Sequence, residues 1–372
     1  MHLVFLSSWT LAPEKGTGTA VAIAGLAEGL ESLGHRVSWI VPSGRPVRLP
    51  GRLLFNLALP WRLGAILARH RATDRPVDVV VGFDLDGCLL PAPEGPPGAR
   101  PLRVVALKGV AAEEGEHERG VPALSLGLLA RLEGRSARRA DRVVVTSEHC
   151  RRVAAAAYGL APERLAVVPE GLRWADWQGP PTGEERPEGG SRAPVVLSVA
   201  RQYRRKDTAT LLAALPAVLR RHPAARLRIV GGGPELPALR ARARALGLGE
   251  SVRFLGEVQG DRAVRREYRL ADVFCLPSLQ EGFGIAFLEA MAAGLPVVGA
   301  ACGAVPEVVP NGEAGLLVPP RDPEALAAAL IRLLGDAELR RRLGRAGRRR
   351  AQGYDWSAVA GRFLEILGLA SP

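Results

Sequence analysis

Two glutamates flank a short glycine-bearing loop that joins an apolar strand to a helix. The segment PSLQEGFGIAFLEAMAAGLPVV runs from Pro277 to Val298, with Glu281 in the loop and Glu289 eight residues later. The free amides of a helix that begins near Gly284 would bind a phosphate, and carboxylates accept hydrogen bonds from sugar or ribose hydroxyls. Because eight helical residues rise about 12 Å, the two carboxylates would bind opposite ends of an elongated ligand. A capping Glu281 and a solvent-facing Glu289 are the alternative interpretation.

Two cations follow another predicted strand. Arg201 and Lys206 come after Val195–Val199, at the edge where open α/β sheets bind ligands. Together they would hold a diphosphate and stabilise it as a leaving group. A solvated basic turn is the alternative, because the 50 basic residues are 47 arginines and only three lysines. The three lysines are Lys15, Lys108 and Lys206. In a chain that otherwise uses arginine, their presence indicates that an ammonium, which is a compact point charge for phosphate, is preferred at these positions.

Short apolar segments alternate with segments of helical periodicity along the chain, which predicts doubly wound, parallel α/β sheets. The predicted strands are Leu3–Leu6, Val37–Val41, Val77–Val81, Leu102–Leu107, Arg142–Val145, Val195–Val199, Arg226–Val230, Val252–Phe254, Val273–Leu276, Pro296–Val298 and Gly315–Val318. The predicted helices are Thr19–Leu33, Leu126–Ala140, His149–Tyr158, Thr208–Arg221, Pro237–Ala245, Ile285–Ala293, Pro323–Leu334 and Trp356–Leu367.

A polar stretch rich in proline and glycine, residues 178–194, predicts a linker between two domains. We expect an N-terminal domain over 1–177 and a C-terminal domain over 190–354. Both would be Rossmann-like, and we expect them to face each other across a cleft that holds the site.

The ordered motifs of the chain resemble glycosyltransferase family 4, whose members have the GT-B fold. The family is marked by two glutamates separated by seven residues, which Glu281 and Glu289 match, with EGFG and AAGLPVV beside them. Corresponding stretches are VARQYRRKDTATLLAA, RIVGGGPE, VRFLGEV, ADVFCLPS and NGEAGLLVPPRDPEALAAAL. Looser matches in the first half are GTGTAVAIAGLAEGLESLGHRVSWIV, RADRVVVTSEHCRRV and RLAVVPEGLRW. The resemblance also implies that 1–177 is the acceptor-side domain and 190–354 the nucleotide-sugar-binding domain, and that the final helix, within 355–372, returns to the first domain.

The resemblance implies a donor site and a mechanism. Arg201 and Lys206 would hold the donor diphosphate, Glu289 would accept hydrogen bonds from the ribose, and Glu281 from the donor sugar. The other implied donor contacts are the amides of Phe283, Gly284 and Ile285, a nucleobase lining at Arg253, Phe254 and Leu255, and a close approach of Gly16 and Gly18 to the phosphates. The family retains anomeric configuration and generally uses no metal, and the leaving phosphate would help deprotonate the acceptor.

Several positions depart from the family pattern. Many members carry a histidine after the fourth strand, where this chain has Lys108 in ALKGV, and we include Lys108 with Arg201, Lys206 and Glu281 among the candidate catalytic residues. His117, nine residues later, is a second candidate, although a surface histidine is the plainer interpretation. The PNG common near the domain junction is Pro169-Glu170-Gly171, and a frequent histidine after Val77–Val81 is replaced by Gly82-Phe83-Asp84.

The net charge of +12 fits a phosphorylated donor, an anionic membrane or a nucleic acid. Aromatic residues make up only 5% of the chain, so platforms for base stacking are scarce and we expect no nucleic-acid partner. A predicted helical region combines arginines with leucines as a membrane-facing helix would, although an ordinary amphipathic helix is the alternative. Its residues are Arg131, Arg135, Arg138, Arg139 and Arg142, with Leu126, Leu128, Leu129 and Leu132.

We therefore predict a retaining hexosyltransferase that uses a nucleotide-sugar donor, with UDP-glucose favoured over GDP-mannose. The acceptor would be a hydroxyl of a lipid-linked sugar or small glycoside. The alternatives are a nucleotide-sugar epimerase or hydrolase on the same fold, and a non-catalytic nucleotide-sugar-binding protein. The four cysteines have no metal-ligand spacing, so we expect no metal. The first residues predict a strand rather than a signal peptide, so we expect a cytoplasmic protein, peripheral at most to the inner membrane face.

Overall fold

The computed structural model describes residues 1–9, 18–42, 49–71, 76–96, 99–179 and 193–368. The chain divides into two compact units, one formed by Met1–Gly171 with Trp356–Pro372 and the other by Leu172–Asp355. The predicted domains, 1–177 with 355–372 and 190–354, differ from these ranges at the junction, where the first unit already ends at Gly171.

The first unit has a parallel sheet in the order β2-β1-β3-β4-β5-β6. Its elements, before the chain enters the second unit, are β1 (His2–Leu6), α1 (Gly18–Ser32), β2 (Arg36–Ile40), α2 (Leu49–Arg71), β3 (Val79–Phe83), β4 (Leu102–Leu107), α3 (Ala111–Glu116), α4 (Val121–Arg139), β5 (Arg142–Val145), α5 (Glu148–Tyr158) and β6 (Leu165–Val167).

The second unit has a parallel sheet in the order β12-β11-β10-β7-β8-β9. Its elements are β7 (Val195–Val199), α6 (Thr208–Arg221), β8 (Arg226–Val230), α7 (Leu236–Ala245), β9 (Val252–Gly256), α8 (Asp261–Leu270), β10 (Val273–Leu276), α9 (Ile285–Ala292), β11 (Val297–Ala300), α10 (Val305–Val308), β12 (Gly315–Val318), α11 (Pro323–Gly335) and α12 (Ala337–Gln352). The last helix, α13 (Trp356–Ile366), belongs to the first unit.

Both sheets reverse their strand order at one point. Counted within its own unit, the second sheet has the order 3-2-1-4-5-6 of dinucleotide-binding folds, and it reverses between β7 and β10. The first sheet begins in the order 2-1-3-4-5 and reverses between β1 and β3. Ligands of such sheets bind outside the carboxyl ends of the strands at these points, so the loops after β7 and β10 are a candidate ligand site.

Helices α2 and α4 pack on the same face of the first sheet. The parallel register aligns Val4 with Val80, and Val105 with Val143. Since Gly82 pairs with Val105, and lies two residues after Val80 on its strand, all four valines point to one face. On that face α2 buries Phe55 and Leu59 against the first pair, and α4 buries Ala137 against the second.

The last helix is held tightly to α1. A Cβ added at Gly25 would overlap the indole of Trp356, and one added at Gly29 would overlap the Trp356 carbonyl. Trp356 is buried, with Val359, Ala360 and Phe363 on the same face of α13. These two glycines therefore allow the helices to pack close together.

The structure corrects the sequence prediction in several elements. Helix α4 begins at Val121 rather than Leu126, and Arg142 lies on β5, so it is not part of the arginine face of α4. Helices α2, α3, α8, α10 and α12 and strand β6 were not predicted. In the part of the chain that the structure describes, no helix combines the length and apolar character needed to cross a bilayer.

Candidate functional site

The loops after β7 and β10 meet at the reversal point of the second sheet. The two strands are hydrogen-bonded neighbours, so their carboxyl ends emerge side by side. The loops are also bonded to each other, since the Leu279 amide donates to the Arg205 carbonyl at 2.7 Å. The first loop carries Lys206 and the second carries Glu281, which the sequence analysis had placed in one site.

An ion pair joins Lys206 to Glu281. The Lys206 Nζ lies 2.8 Å from Glu281 Oε1, and the Ser278 hydroxyl donates to the same oxygen at 2.8 Å. Both charged side chains are largely buried, with exposures of 15% and 9%. Hydrogen bonds between charged groups are short and strong, so the cation and carboxylate are held in place before any ligand arrives. The arrangement suits a ligand that offers both negative phosphate and sugar hydroxyls.

A close approach of the loop after β8 shapes the Lys206 loop. Gly231 has φ +114°, and a Cβ there would overlap the Ala200 carbonyl. The Gln202 amide donates to the Gly232 carbonyl at 2.9 Å. Gln202 itself is fully buried, where its Nε2 donates to the Ala200 carbonyl and its Oε1 accepts from Thr208. Gln202 was not among the predicted site residues. The triple glycine Gly231–Gly233 is the sequence signal for the close approach of the loop to Gln202.

Arg201 lies after the same strand as Lys206 but contacts a different carboxylate. Its Nη1 is 3.7 Å from Glu257 Oε1, and both side chains are at least half exposed. The guanidinium also stands over the ring of Tyr203. The predicted pair of cations is therefore present at one strand end, yet each has its own partner.

The helix after the Glu281 loop begins as predicted. Gly284 is the residue before α9, with φ +98°, and a Cβ there would lie 2.9 Å from the Phe287 ring. Phe283 and Gly284 are buried and Ile285 is half-buried. The Phe287 and Leu288 amides donate to the Gly284 carbonyl at 2.9 and 3.3 Å. The amides that precede them lie at the helix N-terminus, where backbone N–H groups have no acceptor within the helix and can bind an anion.

Glu289 is half-buried and bonded to a tyrosine. The Tyr268 hydroxyl donates to Glu289 Oε2 at 2.8 Å. Burial raises the pKa of Glu289 to about 7, while the Tyr268 hydrogen bond lowers it. The carboxylate is therefore not the solvent-facing group of the alternative interpretation, and Tyr268 is a partner that the sequence analysis missed.

The predicted nucleobase lining lies on the edge strand β9. Arg253 is exposed, Phe254 packs against the core on the α6 side, and Leu255 packs against the core on the α9 side. Of the predicted first-unit donor residues, Gly18 is the exposed first residue of α1, and Gly16 lies outside the described residues, as does Lys15. The donor-binding roles of all these residues stay predictions.

Lys108 follows β4 in the first unit and forms a buried ion pair. Its Nζ lies 3.1 Å from the carboxylate of Glu170, and its amide donates to Asp84 Oδ1 at 2.9 Å. Burial raises the pKa of Glu170, and the Lys108 charge opposes that shift. His117 is the half-buried residue that ends α3.

A network of buried polar side chains lies at the reversal point of the first sheet. Asp86 accepts from the Ser8 amide at 2.6 Å, from the Ser8 hydroxyl at 2.9 Å and from Asn56 at 2.9 Å. Arg52 donates through Nε to the Ser8 hydroxyl at 2.8 Å. Burial raises the pKa of Asp86 to about 6, against the opposing charge of Arg52. The sequence analysis missed this network, because α2 supplies two of its members.

Across the described ranges, the structure contains no group of three or more histidine, cysteine, aspartate or glutamate residues placed to hold a metal ion. The candidate site residues supply charge and hydrogen bonds: cations and helix amides for a diphosphate, and carboxylates for hydroxyls. The expectation that no metal is needed stays a prediction.

Two family models match the chain. The model described as Glycosyltransferase Family 4 matches residues 16–173, and the model described as Glycosyl transferases group 1 matches residues 183–350.

Two relatives and one solved structure illustrate the similarity. The chain is 33% identical over 353 residues to a phosphatidyl-myo-inositol mannosyltransferase of Mycolicibacterium smegmatis, which covers 92% of this chain and 87% of that protein. It is 35% identical over 247 residues to a GDP-mannose-dependent alpha-(1-6)-phosphatidylinositol monomannoside mannosyltransferase of Mycobacterium tuberculosis, with 61% of each chain covered. The solved structure of sucrose-phosphate synthase from Thermosynechococcus elongatus superposes with a TM-score of 0.75 at 25% identity, over 100% of this chain and 99% of that one.

The family matches span both units, and a relative above 30% identity covers most of the chain. The two doubly wound sheets are those of the GT-B fold. On these grounds the chain belongs to glycosyltransferase family 4 and is a glycosyltransferase.

Proposed function

We propose that the protein transfers a mannosyl residue from GDP-mannose to the inositol headgroup of a phosphatidylinositol-type lipid, with retention of configuration and without a metal. The Lys206–Glu281 pair at the reversal point of the second sheet carries the donor half of this proposal. The two relatives described above support the choice of mannose, GDP and inositol lipid, since both are named mannosyltransferases of such lipids. UDP-glucose, the donor favoured from the sequence alone, becomes the comparison donor.

The charge distribution of the donor site supports catalysis without a metal. Departure of the nucleoside diphosphate develops negative charge on its phosphates, and fixed positive groups stabilise that charge. Lys206 and Arg201 supply two cations after β7, and the first turn of α9 supplies backbone amides. Glu281 accepts hydrogen bonds from a sugar hydroxyl while it holds Lys206 in place.

The acceptor half of the proposal has support from the exposed face of α2. This 23-residue helix contains no acidic residue, and Leu54, Leu57 and Trp61 are 66%, 62% and 86% exposed. These three residues are spaced at about one helical turn, so they form one stripe. Arg62 and Arg69 are exposed beside it. Apolar side chains with flanking cations match the interface of an anionic membrane, where a lipid acceptor lies.

Helix α4 covers the same face of the first sheet as α2 and carries further exposed apolar side chains. Val121, Leu124 and Leu128 are exposed on α4. Of the large apolar side chains that the described residues expose, only Leu246 lies in the second unit. An open groove of about 560 Å³ on α4 supplies positive charge for a lipid phosphate; it is lined by Leu128, Arg131, Leu132, Arg135, Arg138 and Arg139.

The experiment is a donor-by-acceptor panel with product analysis. GDP-mannose, UDP-glucose and UDP-N-acetylglucosamine would each be offered with vesicles containing phosphatidylinositol, vesicles containing phosphatidylglycerol, or free inositol phosphate, with and without EDTA. We expect a mannolipid only with GDP-mannose and phosphatidylinositol, with an α linkage by NMR, and no loss of rate with EDTA. Transfer from a UDP-sugar would contradict the donor, and transfer to free inositol phosphate at an equal rate would contradict the lipid acceptor.

A further inference from the structure

Two departures from the family pattern contact each other in the folded chain. Lys108 occupies a position where many family members carry a histidine, and Glu170 occupies the asparagine position of the PNG motif. They are 62 residues apart in sequence, yet Lys108 Nζ lies 3.1 Å from the Glu170 carboxylate. Lys108 follows β4 and Glu170 follows β6, so both lie at the carboxyl edge of the first sheet.

The burial of this pair explains why the two departures occur together. The exposures of the Lys108 and Glu170 side chains are 10% and 3%. A buried charge without a partner is strongly destabilising, whereas a hydrogen-bonded pair of opposite charges is tolerated. A lysine alone or a glutamate alone would leave such a charge, so the two positions behave as one unit.

Neighbouring residues fix the position of the Lys108 backbone and side chain. The Lys108 amide is bonded to Asp84 Oδ1, and Asp84 is a rare non-glycine residue with φ +55°. The Phe83 ring lies 5.8 Å from Nζ on one side. An ammonium has three N–H groups, so the contact with Glu170 leaves donors for a ligand oxygen. The position is the sheet edge at which ligands of such folds bind.

We propose that the Lys108–Glu170 pair is an acceptor-binding site, in which the Lys108 ammonium donates a hydrogen bond to a hydroxyl of the polyol acceptor. Glu170 is a positioning residue that holds the ammonium and balances its charge. This inference rests on the proposed function, because it specifies how that acceptor is bound. It requires no metal, no covalent intermediate and no change in the donor chemistry.

The first experiment is a set of exchanges at both positions. Lys108→His strands the Glu170 carboxylate and Glu170→Asn strands the ammonium, so each single variant should lose at least tenfold in transfer rate. The double variant has neither stranded charge and should recover at least fivefold over the worse single variant. Losses that simply multiply in the double variant would overturn the coupling of the pair. Thermal melting of each variant gives the folded fraction and corrects the rates.

The second experiment uses an isosteric change that keeps the fold. Glu170→Gln retains a hydrogen-bond acceptor for Lys108 but removes the charge, and Glu170→Asp retains the charge. We expect Glu170→Gln to raise the KM for the acceptor and to lower the ratio of transfer to donor hydrolysis about tenfold, with partial rescue by Glu170→Asp. An equal fall in transfer and hydrolysis, with an unchanged acceptor KM, would assign the pair to the donor or to stability alone.

A spectroscopic readout separates this inference from the proposed function. Because the chain has only three lysines, protein with isotope-labelled lysine gives few side-chain NMR signals, and Lys108→Arg identifies one of them. With the donor nucleotide bound, myo-inositol 1-phosphate or a methyl hexoside should shift the Lys108 signal more than the Lys206 signal. An unmoved Lys108 signal at saturation with these polyols would overturn the site, whether or not an inositol lipid is the acceptor.

Discussion

The Nζ of Lys206 lies 2.8 Å from Oε1 of Glu281, across the two loops that leave the second sheet where its strand order reverses. The ion pair makes the cation that we propose binds phosphate and the carboxylate that we propose binds the sugar parts of one preformed group. Neither residue can be changed without affecting the position of the other.

Removal of Lys206 should therefore impair donor use severely. We expect Lys206→Ala to lower kcat/KM for the donor by about 10²–10³-fold, the range found when one electrostatic donor is lost from an active site. In a double-mutant cycle, Lys206→Ala and Glu281→Ala should be strongly non-additive because they remove the same ion pair. Steady-state kinetics provide the test, with Arg244→Ala on the exposed face of α7 as a control. A change of less than twofold for Lys206→Ala would contradict this role.

Donor affinity should depend on pH through Glu289. Since burial raises its pKa to about 7, the carboxylate is protonated below that pH and loses its capacity to accept from both ribose hydroxyls. Affinity for the intact nucleotide sugar should rise with pH through about 7 and level off above it. Tyr268→Phe removes a hydrogen bond that lowers this pKa, so the midpoint should move to higher pH. Calorimetric titrations from pH 5.5 to 8.5 measure both effects, and Glu289→Gln should abolish the dependence.

The free energy of unfolding should fall as pH rises from about 4.5 to about 8, because Glu133 keeps its proton in the folded protein over this range. This buried carboxyl accepts a hydrogen bond from the Tyr158 hydroxyl at 2.5 Å, and burial raises its pKa from the ordinary value of 4.5 to about 8. Between these two pH values the unfolded chain releases a proton that the folded chain keeps. The loss of stability across this window should be at most about 5 kcal/mol. Glu133→Gln should reduce this pH dependence in urea unfolding, whereas exposed Glu163→Gln should leave it intact.

Binding to vesicles should depend on the apolar stripe of α2. Leu57→Ser and Trp61→Ser remove exposed apolar area that would enter the membrane interface, so each should weaken binding to phosphatidylinositol vesicles by about fivefold or more, at roughly 25 cal/mol per Å² of apolar surface. Leu246→Ser, an exposed leucine of the second unit, is the matched control. Co-sedimentation at low salt gives the partition coefficients. Binding that is unaffected by both α2 changes, or absent in the wild type, would remove the membrane face from the proposed function.

Close packing of α1 on α13 makes a sharp prediction about two glycines. Gly25→Ala places a Cβ where the Trp356 indole lies, so we expect a loss of about 1–3 kcal/mol from overpacking. Gly361→Ala lies within α13 with no atom within 4 Å of the new Cβ, so it should stabilise the helix by about 0.5–1 kcal/mol. Chemical denaturation of the two variants compares the values. Equal effects would show that Trp356 moves aside without cost.

Regular strand and helix patterns could be predicted from the sequence wherever one periodicity dominates. All eleven predicted strands are present, with ends that differ by at most two residues. Most are short apolar runs, and β1, β3, β10 and β11 are buried along their whole length. Helix α2 was not predicted because no single periodicity dominates its sequence. Apolar residues lie on both its buried and its exposed faces, and Pro60 lies inside it. Helix α12 was not predicted because its many arginines make the apolar periodicity of its buried face difficult to recognise in the sequence.

The candidate site was predictable as a set of residues but not as a set of contacts. The spacing of the motifs and the family resemblance predicted that Lys206, Glu281 and Glu289 lie at one edge of the second sheet. They could not reveal the pairing of Lys206 with Glu281, which depends on the register of β7 beside β10. Tyr268 was missed because it lies on α8, a ten-residue helix in which four arginines leave few apolar positions. Glu170 was interpreted only as a departure from a motif.

The assignment of α13 to the first unit has a consequence for dividing the protein into fragments. The chain leaves that unit after Gly171 and returns at Trp356, so the whole of Leu172–Asp355 is inserted between its parts. Trp356 covers α1 beside Gly25 and Gly29, so a fragment of residues 1–171 would lack this indole and expose an apolar groove on α1. A fragment of Leu172–Asp355, in contrast, contains every strand of the second sheet. The second unit should therefore fold as an isolated fragment, whereas the first unit needs α13, in the same chain or as an added peptide, to cover a surface that otherwise promotes aggregation.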